Sequence, residues 1–298
     1  METSSELPQD IKAQLAPGPS GSTAGTVSPT VRMEYLGTPT EIIVSGLLGV
    51  LLLMVTCGLA YPWVIAGAQR YYFSRIRIHT PSGVLTPEFT GTGFLCFVEV
   101  FLSAILVGLT FGIYGPWYVA NVLRYFFNNS QATDAAGNRY RLEYTGKGGE
   151  LFVPMLVNSL LTSVTFGIYG AWATCDMRKR FYDKTRILKN DQEIGKLDFV
   201  GTGGGLVGTF LLGSLLCVVT CGLYLPWFQV EMEKFFMKNT GVYIGSRRYR
   251  GDFTGTGGEL FLLMLQMILV PLTFGLYLFW VFTKQNRFFV EKTSFQAE

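Results

Sequence analysis

Histidine occurs once in this chain, as His79 in a polar stretch. That scarcity excludes histidine-based metal sites and a Ser-His-Asp triad. Charge is the next shortage: Asp, Glu, Lys and Arg make up 15% of the 298 residues, against roughly 25% in soluble chains. None of the five cysteines (Cys57, Cys96, Cys175, Cys217, Cys221) stands in a CxxC pair, so neither a disulfide framework nor a zinc site is indicated. A net charge of +3 is too small to suggest nucleic-acid binding, and no motif for it is present. Gly203, Gly205 and Gly208 spell GxGxxG, but an apolar run follows and the pattern occurs once, so dinucleotide binding is set aside. No metal and no cofactor are expected. What fills the chain is apolar: 49% hydrophobic and 15% aromatic residues, with a mean hydropathy of +0.32. That is a membrane composition.

Residues 1–32 stand apart. They are rich in Pro, Gly, Ser, Thr and Ala, with almost no large apolar side chain. Such a stretch buries too little surface to offset its ordering entropy and is read as a disordered tail. It lacks the basic start and apolar core of a signal peptide.

Residues 33–298 form one domain of five repeats (34–87, 88–142, 143–197, 198–251, 252–298), and three phrases recur in register. A Gly-containing lead-in ("EYLGTPTE", "EFTGTGF", "EYTGKGGEL", "DFVGTGGGL", "DFTGTGGEL") aligns on Gly37, Gly91, Gly146, Gly201 and Gly255, spaced 54, 55, 55 and 54 residues apart. A turn phrase follows: Gly58 and Trp63 in "TCGLAYPW", then Gly112, Tyr114 and Trp117 in "TFGIYGPW". The remaining copies carry Gly167, Tyr169 and Trp172, Gly222, Tyr224 and Trp227, and Gly275, Tyr277 and Trp280. The third phrase is a base followed by aromatics, at Arg70, Arg124, Lys179, Lys234 and Arg287. Between repeats, alternating segments such as "RYRLEYTG" predict strands, broken by turn signals at 81–83, 136–138, 189–191 and 245–246.

Each repeat therefore predicts a helical hairpin, with Gly ending the first arm and Pro62, Pro116 or Pro226 starting the second. All 24 Lys and Arg residues lie outside the apolar segments 42–69, 91–120, 151–175, 201–230 and 260–283. The linkers 70–90, 121–150, 176–200 and 231–259 hold three, four, seven and five bases. Basic content does not alternate, so all linkers and both termini are placed in the cytoplasm. The expected fold is an α-helical integral membrane protein whose five hairpins span the bilayer, joined by short cytoplasmic β-hairpins. A re-entrant dip is the other reading, because about 14 residues per arm reach only about 21 Å of a roughly 30 Å core.

These phrases resemble the YjgN-like bacterial inner-membrane proteins. The matching pattern is a "GTGGELF" lead-in, a "TFGIYGAW" turn and a basic-aromatic exit ending "YDKT" or "MKNT", and it covers residues 34 to 295. Repeat 1 departs most, with "GTPTEI" for the Gly-Gly lead-in and Ala60 in place of Tyr. The resemblance implies a multi-pass inner-membrane location and a family without an assigned activity.

Glu99 is the sharpest single residue, the one charge inside an apolar segment and so a possible ion or proton site. The five basic residues of the exits are candidate anionic-lipid contacts beside an anchoring role. Asn158 and Gln266 are expected to hydrogen-bond between helices. The lead-ins are read first as tight turns with close packing, second as anion cradles. Two function classes follow. One is a non-catalytic scaffold or lipid-organising protein with a cytoplasmic docking face; the other is a transporter or channel for a small solute or ion using Glu99. No enzyme is expected. The partners expected are membrane lipids, with a cytoplasmic or membrane protein and a second copy of the chain left open.

Overall fold

Short period-two segments and paired helices alternate along the chain in a computed structural model that describes residues 30–298. The expected disordered tail lies outside the described residues, except Thr30–Arg32, which open the first strand. That strand, β1 (Thr30–Tyr35), leads into α1 (Pro39–Val55) and α2 (Tyr61–Ser74). The hairpin β2 (Ile76–Thr80) and β3 (Gly83–Phe89) comes next. In the second repeat α3 (Gly93–Cys96) runs through a π-turn at Phe97–Phe101 into α4 (Leu102–Leu109), then α5 (Gly115–Asn128). After β4 (Ser130–Thr133) and β5 (Arg139–Tyr144) come α6 (Gly148–Val164) and α7 (Gly170–Asp183). β6 (Thr185–Lys189), β7 (Gln192–Phe199), α8 (Gly203–Val219) and α9 (Leu225–Lys238) follow. The last unit holds β8 (Thr240–Ile244), β9 (Arg247–Phe253), α10 (Gly257–Leu265), α11 (Leu269–Leu272), α12 (Leu278–Glu291) and β10 (Thr293–Ala297).

The ten strands close into one antiparallel barrel in the order β1-β10-β9-β8-β7-β6-β5-β4-β3-β2. Because neighbouring strands are antiparallel, chain connections alternate between the barrel's ends. The four tight turns and the outer ends of β1 and β10 fall at one end, and all five helix pairs leave from the other. Strand alternation separates two faces. On β1 and β2, Met33, Tyr35, Ile76 and Ile78 share one face, and Arg32, Glu34, Arg77 and His79 share the other.

The apolar face ends, strand by strand, in Tyr35, Phe89, Tyr144, Phe199 and Phe253, all buried. Each packs in its own small cluster against the aromatic end of a second helical arm, as Phe89 does against Tyr125 with ring centroids 5.6 Å apart. The recurring glycine two residues on lies under that ring. A Cβ at Gly146 would come within 2.2 Å of the Tyr144 hydroxyl. A second glycine marks the contact between repeats: a Cβ at Gly93, Gly148, Gly203 or Gly257 would fall 2.5–2.8 Å from the Cα of Trp63, Trp117, Trp172 or Trp227 in the preceding repeat. The lead-in glycines are thus a docking surface for the neighbour's tryptophan.

This architecture corrects the expected fold class. The linkers do not stand as isolated hairpins beside a helical membrane protein; they pair with one another into a closed ten-strand β-barrel. No described helix is long and apolar enough to cross a membrane, which overturns the multi-pass, transmembrane-helix topology. The physical reason lies in the second arms. First arms such as α6 have 17 residues and second arms 14, or about 25 and 21 Å against a roughly 30 Å core. The second arms also turn polar halfway, at Asp176, Glu231 and Lys284, each the seventh residue of its helix. The apolar segments end before the helices do.

Candidate lipid-facing crown

The five helix pairs form a crown on one end of the barrel, and the repeated turn phrase builds its tips. Each first arm ends on a threonine whose hydroxyl bonds in both directions. Thr110 Oγ1 donates to the Leu106 carbonyl at 2.7 Å and accepts the Tyr114 N–H at 3.0 Å. Thr56, Thr165, Thr220 and Thr273 repeat that pair of bonds. Sequence reasoning quoted these threonines inside the phrase but missed their part, although their recurrence in all five copies was the signal.

The turn residue itself also differs from expectation. The helix does not end on the glycine. The residue before it takes the left-handed conformation: Cys57, Phe111, Phe166, Cys221 and Phe274 all have φ near +50°, and Gly58, Gly112, Gly167, Gly222 and Gly275 follow at +88° to +91°. The Gly112 N–H then closes back on the Val107 carbonyl at 2.8 Å, a Schellman turn shifted so that a bulky residue fills the place glycine usually takes. A non-glycine left-handed residue costs roughly 1–2 kcal/mol. Here that conformation turns the side chain away from the protein: Phe111, Phe166 and Phe274 are 97%, 98% and 99% exposed. Behind the tip, Tyr114, Tyr169, Tyr224 and Tyr277 stack on Trp117, Trp172, Trp227 and Trp280 at 5.6–6.0 Å. Repeat 1 has Ala60 there and no such stack.

The apolar surface continues down the arms. On α6, Val153, Val157, Leu160 and Val164 are exposed, and equivalent Leu and Val side chains are exposed on α1 and α8. Contiguous bare apolar surface on this scale marks an interaction site.

The candidate polar residues lie lower, toward the barrel. Arg70, Arg124 and Arg287 donate to the carbonyls of Gly91, Gly146 and Gly37 in the next repeat, at 2.8, 3.2 and 3.4 Å, the last closing the ring from repeat 5 to repeat 1. Lys234 pairs with Glu231 at 2.9 Å, and Lys179 makes neither a hydrogen bond nor an ion pair among the described residues. The interhelix bonds expected of Asn158 and Gln266 are present: Asn158 donates to Asp176 at 3.0 Å, and Gln266 accepts from Lys284 at 2.7 Å. At the lead-ins, Thr256 and Glu259 form a reciprocal capping box that satisfies the helix start from within the chain.

Glu99 sits in the π-turn, half-buried, and its backbone carbonyl accepts the Ser103 hydroxyl. Burial pushes its carboxyl up, and the Arg124 guanidinium opposes that shift. It is not alone among the helices. Glu233 in α9 is also pushed up by burial, opposed by Arg178, whose guanidinium lies 3.9 Å from the Phe236 ring centroid.

The crown's repeating turn is the part of the molecule to compare with known proteins. Residues 139–193 match a family model described as bacterial protein of unknown function (DUF898). The inner membrane protein YjgN of Salmonella typhimurium strain LT2 is 36% identical over 95 residues, which are 32% of this chain and 23% of that protein. Over that stretch the chain is similar to YjgN. The family model ends in the β6–β7 hairpin, so the matched stretch takes in one whole helix pair with the strands on either side. The YjgN-like match spans less than a quarter of its relative's length. No solved structure matches.

Proposed function

We propose that this protein is a non-catalytic inner-membrane protein whose crown is embedded in one leaflet. In this reading the charged end of the barrel stands in the cytoplasm as a docking face, and the molecule organises lipids or scaffolds a partner. The observation that carries it is the set of bare phenylalanine tips. Burying a Phe side chain gains about 1.5–3 kcal/mol, so three such tips gain about 5–9 kcal/mol on entering hydrocarbon. The dimensions support it too. The exposed stretch from Val153 to Val164 rises about 17 Å at 1.5 Å per residue, close to half of a roughly 30 Å core. The polar halves of the second arms then fall at headgroup depth, where basic side chains meet lipid phosphates. The relative named an inner membrane protein agrees with that location.

The second reading, a small-solute or ion transporter, has the π-turn at Glu99 in its favour, since such turns recur at functional sites. The leaflet reading is preferred because it accounts for all five tips at once.

The tips carry their own probes, the exposed thiols Cys57 and Cys221. In a bacterium expressing the chain, an impermeant maleimide added to intact cells is expected to label neither, and to miss a Ser246→Cys variant until the cells are opened. Labelling of Cys57 or Cys221 from outside overturns the leaflet reading, as does failure of the protein to sediment with membranes.

A further inference from the structure

One helix pair carries polar groups inside the crown that the others do not. Where repeat 2 meets repeat 3, a cavity of about 700 Å³ opens between α5, α6 and α7, within the roughly 300–1,000 Å³ of small-molecule sites. Part of its wall is apolar, but α6 lines it with Ser159, Thr162 and Ser163, and α7 lines it with Arg178. The cavity of similar size between repeats 5 and 1 is lined by no charged side chain.

The other repeats show that the fold does not need these groups. Counted back from the turn threonine, the places of Ser159, Thr162 and Ser163 hold Val50, Leu53 and Met54 in repeat 1, and Ala104, Val107 and Gly108 in repeat 2. Repeats 4 and 5 put a single hydroxyl, Ser214, in the equivalent places. Counted from the tryptophan, the place of Arg178 holds Gln69, Leu123, Glu233 and Asn286. Repeat 3 alone sets three hydroxyls beside a guanidinium.

Little within the chain satisfies them. The hydroxyls of Ser159, Thr162 and Ser163 make no hydrogen bond among the described residues. Arg178 makes no ion pair among them, and its one hydrogen bond is long, from Nη1 to the Tyr182 hydroxyl at 3.5 Å. The nearby acid Asp176 is already taken by Asn158 and Arg180, each at 3.0 Å. Glu233 feels the charge of Arg178 without pairing with it. The Phe236 ring, with its centroid 3.9 Å from the guanidinium carbon, holds the head of Arg178 in place while most of its five N–H donors stay unused. A cation and bare hydroxyls at leaflet depth mark a functional site.

The groups are also ordered by depth. The two arms are antiparallel, and the Asn158–Asp176 bond marks a common level. Thr162 lies four residues from that level toward the tip, and Arg178 two residues toward the barrel. Their backbones are therefore about 9 Å apart along the helix axes. An anion site near the headgroups with hydroxyl donors deeper in the leaflet follows the order of a phospholipid, whose ester carbonyls lie below its phosphate.

We infer that this cavity holds one phospholipid, its phosphate on Arg178, its ester carbonyls accepting from the hydroxyls of α6, and its acyl chains continuing onto the bare surface of the crown. A soluble phosphate ester offers Arg178 the same anion but has no use for the hydroxyls. The inference rests on the leaflet reading, which supplies the depth scale.

The test uses the full chain in detergent micelles, with occupancy read by native mass spectrometry. Three probes are titrated: dioleoyl phosphatidylglycerol, dioleoylglycerol without the phosphate, and glycerol phosphate without the chains. One saturable equivalent of phosphatidylglycerol is expected, and none of the truncated probes. Arg178→Leu installs the residue that repeat 2 carries at this place, so it is expected to fold, with an unchanged circular dichroism spectrum. It should bind phosphatidylglycerol about tenfold more weakly, having lost a charge-assisted hydrogen bond. The triple variant Ser159→Ala, Thr162→Val, Ser163→Ala keeps the cation and should also bind about tenfold more weakly. No saturable equivalent of phosphatidylglycerol, undiminished binding by either variant, or equal binding of either truncated probe overturns the inference. Each of these outcomes leaves the leaflet reading standing, because labelling of the tip cysteines tests that reading separately.

Discussion

Two adjacent glycines show what residue-scale geometry adds. Gly148 and Gly149 open the same helix, yet a Cβ at Gly148 meets the Trp117 backbone at 2.5 Å, and a Cβ at Gly149 meets nothing within 4 Å. Gly148→Ala is therefore expected to destabilise by about 1–3 kcal/mol, the usual range for overpacking. Gly149→Ala is expected to stabilise by up to about 1 kcal/mol, because alanine is the better helix former. Denaturant unfolding of both variants checks this, and equal effects would contradict the docking role of the first glycine. In the sequence the pair reads as one Gly-Gly lead-in, and close packing was its favoured meaning. Which glycine bears the packing was hidden, since the tryptophan that presses on it lies about 30 residues earlier, in another repeat.

At the scale of the element, each helix pair is a lever fixed at its base and bare at its tip. Three pairs are latched there. Glu41 reaches Tyr71 and Arg75, Glu150 reaches Lys184, and Glu259 reaches Lys292, each joining the start of a first arm to the end of its second. The hydrogen bonds from Tyr71, Lys184 and Lys292 hold these carboxyls below their ordinary value of 4.5. A folded-state value below the unfolded one means the latches contribute at pH above 4.5 and are lost as pH falls through the lowered values. The melting temperature of wild type should therefore exceed that of the triple variant Glu41→Gln, Glu150→Gln, Glu259→Gln at neutral pH, and the two curves should merge on acidification. A constant gap at all pH values would refute the latches. The acids were legible as helix-start residues; their partners were not, because the bases lie 33 or 34 residues on, after the turn. The second arms have the expected length of about 14 residues but run on past the apolar segments, to Asp183 and Lys238. Asp176 and Glu231 were read as linker charges, but a charged residue does not end a helix when its own turn and its neighbours satisfy the backbone.

For the whole molecule, the repeat register was readable from glycine and tryptophan spacing, and the closure was not. Strands such as "RYRLEYTG" announce themselves by alternation, but alternation does not say which strand lies beside which. The decisive pairing, β1 with β10, joins segments more than 250 residues apart, at Thr30 with Gln296 and Arg32 with Ser294. Because those strands are neighbours, a circular permutant that links Glu298 to Met1 and opens the chain at Gly245–Ser246 is expected to fold with a melting temperature near that of the parent. Deleting Thr293–Ala297 instead exposes two unpaired strand edges and should give aggregation. Light scattering and thermal melts separate the outcomes, and an unfolded permutant would argue against the β1–β10 pairing. Closure also governs copy number. An open solenoid lengthens by one unit without disturbing the rest, whereas each unit here is two staves of a cask, and the diameter of such a vessel grows with the number of staves. Duplicating or losing a unit would refit every joint at once, so the count of five is a property of the entire circle and of no single repeat.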